Sequence, residues 1–423
     1  MLTPAIQDSY IAILREELVL ATGCTEPISI AYCAAKLRET LGAVPERVLG
    51  EVSGNILKNA KSVTVPSTGG LKGIKAAMAA GIVAGDPGRE LQVIAAVPKE
   101  RYPEIAAYLD KTEITIACPD TPRLLDIRLT GWAGDHKAVV HIANNHSNIV
   151  YMEKDGQILL EKPLSSSPED GLTDKSTLNL RDILTFAREV DLSLVSDLLD
   201  NQIQYNSAIA EEGLRNSWGA NVGSTVLKCG GDDAKTEARA WAAAGSDARM
   251  SGCEMPVVIV SGSGNQGMTA SLPVIRYAGR LGASREQLYR ALLVSDLVTM
   301  YQKAGVGRLS AYCGAVSAGV GSGAGIAFLH GADFDEISST ITNALAMISG
   351  TICDGAKPSC AAKIAASVEA GILAYQMVRE GQTFSGGDGI LAGDADRTIA
   401  NIGVLAKEGM QGTDRTILKI MTQ

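Results

Sequence analysis

Three cysteines form the most reactive constellation in the sequence. Cys353 and Cys360 bracket the loop CDGAKPSC, and Cys313 lies 40 residues before Cys353. There is no C-x-x-C pair, so neither a zinc ribbon nor a ferredoxin-type run is written here. Cysteine is also a common buried apolar residue, and that reading stands beside the reactive one. Gly355 and Pro358 make the loop irregular, which leaves backbone N–H groups free to hydrogen-bond sulfur. Three thiolates would hold a [4Fe–4S] cluster and leave one iron open, whereas four would close it for electron transfer. Cys24 is a further candidate. In ATGCTEP, Gly23 and Pro27 punctuate a helical pattern, with Thr25 expected as the cap and Pro27 just inside the helix. A cysteine at a helix N-terminus is favoured as thiolate.

The loop SGSGNQG offers a second kind of chemistry. Gly262, Gly264 and Gly267 spell G-x-G-x-x-G after the apolar run MPVVIV, the letters of a dinucleotide fingerprint. The context opposes that reading. No βαβ unit surrounds the loop, and Pro273 is expected to interrupt the following helix. A Gly-rich packing turn is one alternative. The other is a substrate loop, whose free N–H groups, with the Asn265 and Gln266 amides, suit an amino-acid carboxylate. Candidate bases are few. Of the four histidines, His141 and His146 sit in HIANNHSNIV at a strand–turn–strand transition, where satisfied polar residues are common. Ser53, Lys58 and Asn59 of VSGNILKN and the turn PSTGG, residues 66–70, form a polar region between apolar strands. No lysine has a pyridoxal-phosphate context.

Three regions must position these residues. Residues 5–41 carry helical periodicity in two halves. From 45 to 165 the chain reads as a mixed α/β domain. Its expected strands are RVLGEVS, KSVTVP, LQVIAAVP, EITIACP, LDIRLTGW, KAVVHIA and NIVYMEK, with helices near 71–84 and 99–110. The polar stretch 165–177 reads as a linker, and 178–423 is nearly all helical. The expected class is α+β: N-terminal helices over 1–44, an α/β domain over 45–165, and a larger all-α domain carrying the cluster cysteines.

Composition narrows the function. The 423 residues include 45 glycines but few aromatics, which suggests closely packed backbones. A formal net charge of −9 without a basic stripe argues against a nucleic-acid partner. The N-terminus lacks a signal-peptide n-region, so a cytoplasmic protein with reduced cysteines is expected. The uncharged run 309–329 is long enough to span a membrane, but its Gly, Ala and Ser read as a close-packed soluble helix. A homodimer is the default assembly.

Eight segments then converge on one resemblance: GCTEP (23–27), NILKN (55–59), VTVPSTG (63–69), HSNIV (146–150), SDARMSG (246–252), SGSGNQG (261–267), RLSAYCGA (308–315) and ICDGAKPSC (352–360). From about residue 5 to residue 420 the chain closely resembles the L-cysteine desulfidases, relatives of the iron–sulfur L-serine dehydratase α chain. The resemblance implies a pyridoxal-independent β-elimination on a [4Fe–4S] cluster, converting L-cysteine to pyruvate, ammonia and sulfide. Serine, another β-substituted amino acid, or amino-acid binding without turnover are the alternatives. The implied ligands are Cys313, Cys353 and Cys360, with Cys24 either a resting fourth ligand or an acid/base group. Glu26, Lys58 and His146 are the other implied catalytic residues. Ser261, Ser263, Asn265 and Gln266 would fix the substrate carboxylate, with charge from Lys58 or Arg308, and Asn59 and Thr68 nearby. In the serine dehydratases the last two ligands are further apart. A C-terminal cysteine can also reach the open iron there, whereas this chain ends KIMTQ.

Overall fold

Between residues 47 and 161 the β-branched clusters pair into one six-stranded sheet, and most of the remaining chain is helical. The structure is a computed structural model and describes residues 2–164 and 172–423. Of the expected linker, residues 165–171 lie outside the described residues. Residues 172–177 are irregular, and Lys175 among them pairs with Glu16 (2.7 Å) and Glu17 (3.0 Å).

The first half of the chain runs α1 (Pro4–Glu17), β1 (Leu20–Thr22), α2 (Thr25–Leu41), β2 (Arg47–Val52), α3 (Gly54–Ala60), α4 (Gly73–Ala84), α5 (Tyr102–Lys111), β3 (Glu113–Ala117), β4 (Asp126–Ala133), β5 (His136–Ala143), β6 (Ile149–Lys154) and β7 (Gln157–Glu161). The second half runs α6 (Leu180–Glu189), α7 (Ser196–Arg215), α8 (Val222–Cys229), α9 (Ala234–Met250), β8 (Pro256–Val258), α10 (Gly264–Leu281), α11 (Arg285–Val306), α12 (Gly314–Leu329), α13 (Phe334–Ile348), α14 (Cys360–Arg379), α15 (Ala395–Val404) and α16 (Gln411–Thr422). The described residues thus form a helix-rich mixed α/β structure with 16 α-helices.

The sheet order is β3-β2-β4-β5-β6-β7, with only β2 and β3 parallel. Helix α2 lies on β4 and β5 and packs against α4. Two expected strands are absent. LQVIAAVP folds into successive tight turns, with Val93 N bonded to Glu90 O and Ala95 N to Gln92 O. Its Val93 and Ile94 are hydrophobic because they are buried, not because they are paired in a sheet. KSVTVP makes only an isolated bridge between Thr64 and Lys72, because Pro66 has no N–H to extend a ladder.

The small residues of α12 are a packing device. A Cβ on Gly323 would lie 2.7 Å from Gly371 O of α14, and one on Gly321 would lie 2.5 Å from Ser295 O of α11. Helix α12 therefore threads between α11 and α14 at backbone contact. No helix among the described residues is long and apolar enough to cross a membrane. Pro273 does not end its helix either, since α10 runs through it. Pro interrupts the hydrogen-bond ladder there without stopping helix growth on either side.

One small ribbon ties the N-terminal helices to the second half of the chain. β1 pairs antiparallel with β8, Leu20 opposite Val258. Each strand leads directly into a motif, β1 into GCTEP and β8 into SGSGNQG. The ribbon therefore brings residues far apart in sequence side by side.

Candidate active site

Four helix N-termini meet at one chamber. Cys24 is the cap residue of α2, Ser263 of α10 and Cys313 of α12, while Cys360 opens α14; all four line the same cavity of about 100 Å³. One water needs ~10–15 Å³ on this measure, so there is room for several water-sized groups. The cap of α2 is Cys24 rather than the expected Thr25, whose hydroxyl donates to Gly262 O (2.8 Å) and ties α2 to the glycine loop. Each helix start contributes partial positive charge, so the chamber favours an anion.

Cys313 and Cys353 are held together by backbone. Cys353 N donates to Ala311 O (2.6 Å), Cys313 N donates to Thr351 O (3.0 Å), and Tyr312 bridges Ile352. Cys360 Sγ makes only a long contact to Gly355 O (3.7 Å). None of the three is in a disulfide. A hydrogen bond from Cys313, helped by Lys58, the Gly355 amide and Lys363, holds the Cys353 thiol low despite burial. The same bond, with burial, pushes Cys313 up, and burial pushes Cys360 up. Among the described residues no three His, Cys, Asp or Glu groups could hold a single metal ion. The three sulfurs instead line a chamber, together with Cys24. Soft thiols around a space that Lys303 also lines fit an iron–sulfur cluster better than a lone cation.

Beside them lies a proton-holding group. Cys24 Sγ donates to Glu26 Oε2 (3.0 Å), and Asn59 Nδ2 donates to Glu26 Oε1 (2.9 Å). Burial, then the Glu26 carboxylate, pushes Cys24 well above the usual thiol range. The expectation of a helix-stabilised thiolate is thereby corrected for the residues as they stand, because desolvation and a neighbouring anion outweigh the helix end. Burial opposes ionisation of Glu26, but the His146 ring, the Cys24 thiol, its own backbone amide and Arg249 more than offset it. His146 sits behind Gly262, where a Cβ would lie 3.2 Å from its ring and 3.4 Å from Arg308. Burial holds this imidazole down at about 4, against the pull of Glu26.

The remaining expected residues are placed differently. Asn265 and Gln266 line the chamber in the first turn of α10, and Ser263 caps it. Ser261 adopts a positive φ of 48° in the preceding turn and does not line the cavity. Lys58 does not reach it either. It is buried and pairs with Asp414 of α16 (2.5 Å), and its charge bears on the chamber only through Cys353. Arg308 touches the chamber, but its guanidinium is held by Glu17 (2.7 Å) and Glu16 (3.8 Å). Thr68 closes a turn, donating to Val65 O (2.7 Å) and accepting from Leu71 N (3.1 Å). Two lining residues, Arg249 and Lys303, were not among the expected ones. Both are legible as charges on otherwise small or apolar helix faces, Arg249 in AWAAAGSDARM and Lys303 below Met300. SGSGNQG does open a helix, but the strand before it pairs only with antiparallel β1, so no dinucleotide unit surrounds it.

The chain is 56% identical over 413 residues to a UPF0597 protein of Desulfitobacterium hafniense, covering 98% of this chain and 96% of that one. It is 49% identical over 411 residues to a UPF0597 protein of Lachnoclostridium phytofermentans, covering 97% and 98%. A UPF0597 protein of Treponema denticola is 46% identical over 420 residues, covering 98% and 97%. The profile of the serine dehydratase alpha chain matches residues 51–419, a span that takes in SGSGNQG and all three clustered cysteines but not Cys24. The chain belongs to the serine dehydratase alpha chain family.

Proposed function

We propose that this protein is a pyridoxal-independent amino-acid lyase that eliminates the β-substituent of L-cysteine, giving pyruvate, ammonia and sulfide. Membership of a family that is typically iron–sulfur dependent supports the lyase reading. The observation that carries it here is the convergence of four helix N-termini and four unpaired cysteines on one chamber. Cys313, Cys353 and Cys360 would hold a [4Fe–4S] cluster. When bound, it supplies an open iron as Lewis acid for the carboxylate and the departing group.

The chain's own residues would supply binding and proton control. The glycine loop and α10 start receive the substrate carboxylate. Cys24 and Glu26 share one proton across 3.0 Å. This pair can give or take a proton at the substrate without opening the site to bulk water. Asn59 fixes the Glu26 carboxylate, so the shared proton stays aimed at Cys24. His146, neutral at physiological pH, lets Gly262 and Arg308 pack closely behind the loop without adding charge. The aminoacrylate product tautomerises and hydrolyses unaided.

L-Serine is the second reading, and the match to the serine dehydratase alpha chain favours it. Both readings are tested on protein reconstituted without oxygen. Iron and labile sulfide near about four per chain, with more sulfide released from cysteine than pyruvate from serine, supports the first. Preferential serine turnover supports the second. Iron below about one per chain after reconstitution removes both.

A further inference from the structure

Arg249 is an unusual buried charge. It is 2% exposed, near the end of α9, and lines the chamber. Its Nη1 donates to Asn265 Oδ1 (3.1 Å), but Nε and Nη2 have no partner. Among the described residues it forms no ion pair. A buried guanidinium with unmet donors costs several kcal/mol unless something compensates it. The chain keeps space for this cost: a Cβ on Gly264 would lie 2.5 Å from Arg249 Nε and 2.8 Å from its Cζ. Glycine at that position therefore lets the guanidinium lie against the first turn of α10. The amides of residues 264–266 precede the first helical bond there, Gly267 N to Ser263 O.

Two orphaned acceptors line the same chamber. Gln266 Oε1 and Asn59 Oδ1 are buried and have no donor. The unmet groups are therefore two cationic donors and two neutral acceptors. That is the complement of a zwitterion, carboxylate against guanidinium and ammonium against amide oxygens. Two of the other cations are already paired, Lys58 with Asp414 and Arg308 with Glu17, and Lys303, which also lines the chamber, is a single ammonium. A planar guanidinium also matches a carboxylate with two parallel bonds, which an ammonium does not.

We infer that Arg249, with the α10 N-terminus, is the clamp for the α-carboxylate of a free α-amino acid, and that Gln266 and Asn59 receive its ammonium group. This deepens the lyase reading and rests on it only for the identity of the reacting substrate. It predicts that the protein rejects amino-acid amides and simple amines whatever their β-substituent.

The test is calorimetric binding of L-alanine to the anaerobically reconstituted protein, since alanine has both head groups and no leaving group. L-Alaninamide and ethylamine serve as controls. The expected result is binding of L-alanine alone, weakened at least about thirtyfold in Arg249→Met and partly restored in Arg249→Lys. Gly264→Ala should weaken it too, because the new methyl displaces the guanidinium without removing its charge. Melting temperature supplies a second readout. Arg249→Met should melt no lower than wild type, and L-alanine should stabilise wild type but not the variant. A purely structural arginine would give a lower melting temperature and unchanged affinity, and that result overturns the inference. So does L-alaninamide binding as tightly as L-alanine. If neither cysteine nor serine is turned over while Arg249-dependent alanine binding persists, the lyase reading fails and the clamp stands. If turnover is present while Arg249→Met binds alanine normally, the clamp fails and the lyase reading stands.

Discussion

His141 on β5 and His146 in the turn that follows β5 are both buried and have opposite surroundings. His141, on β5, meets Asp126 Oδ1 at 2.7 Å, and Arg123 bonds the other oxygen of the same carboxylate. His146 has no partner for Nε2 and is held near pKa 4. The sheet closes its polar groups on one another, as buried groups usually require. The chamber does not. Arg249, Gln266 and Asn59 line it and share the condition of His146, which does not line it but packs against its Gly262. Satisfied burial marks structure, and unsatisfied burial gathered round a cavity marks a place prepared for a ligand.

Removing a chamber sulfur should leave the fold standing while abolishing chemistry. Cys353→Ser is expected to lose the iron, and turnover should fall on the order of 10³-fold, the worth of several kcal/mol of Lewis-acid stabilisation. Iron content, labile sulfide and steady-state rates measure this together. The far-ultraviolet circular dichroism of the variant should match wild type. Full turnover with normal iron would break the contrast at its functional end.

The opposite experiment removes a partner from the closed network. Asp126→Ala strands His141 and Arg123 and should cost about 3 kcal/mol in urea unfolding. Rates per folded, iron-loaded molecule should stay close to wild type. A cost under about 0.5 kcal/mol would mean that the sheet network is no better satisfied than the chamber.

Acid sharpens the comparison through His146. An unfolded imidazole takes its proton near 6.5, but the folded one only near 4. Between these values the unfolded state binds more protons, so stability is full above about 6.5 and is lost as pH falls toward 4. The slope is about 1.4 kcal/mol per pH unit. Asp296, pushed to about 7 by burial, has the reverse sign. Its contribution is fully present below about 3.8 and is lost as pH rises through 7, so it flattens the raw curve. Subtracting cluster-free His146→Leu from cluster-free wild type cancels Asp296. The difference should carry the full slope between pH 6.5 and 4, with the leucine variant the more stable in acid. A flat difference would show His146 to be solvated or paired.

The sequence discloses this contrast unevenly. Helices with strong periodicity, such as α7, α9 and α14, are plain in it, as are the alternating strands β4 and β5. LQVIAAVP misleads because burial and strand pairing both select Val and Ile, and only tertiary packing separates them. The reactive residues stand out by type, and Cys313, Cys353 and Cys360 do line one cavity. Which cation is free is not written locally. Lys58 reads as available in the sequence, but Asp414, on the last helix, pairs with it. Arg249 reads as one more charge on a helix, and only the glycine at 264 shows where its guanidinium lies. Pairing over such separations depends on the fold, whereas residue type does not.

The smallest test concerns Thr68, which the family resemblance places at the substrate and the structure places in a turn. Its hydroxyl joins Val65 O to Leu71 N across the PSTGG loop. Thr68→Ala removes two neutral hydrogen bonds from a segment that is otherwise held mainly by backbone. The loss should be about 1 kcal/mol of stability, seen as a modest fall in urea midpoint with unchanged slope. KM for the amino acid should not move, because the side chain does not line the chamber. Thr68→Ser restores the hydroxyl and should recover most of the midpoint. If KM rises several-fold in Thr68→Ala and recovers in Thr68→Ser, the hydroxyl reaches substrate in the loaded protein. The PSTGG loop would then belong with the open polar groups of the chamber rather than with the closed network of the sheet.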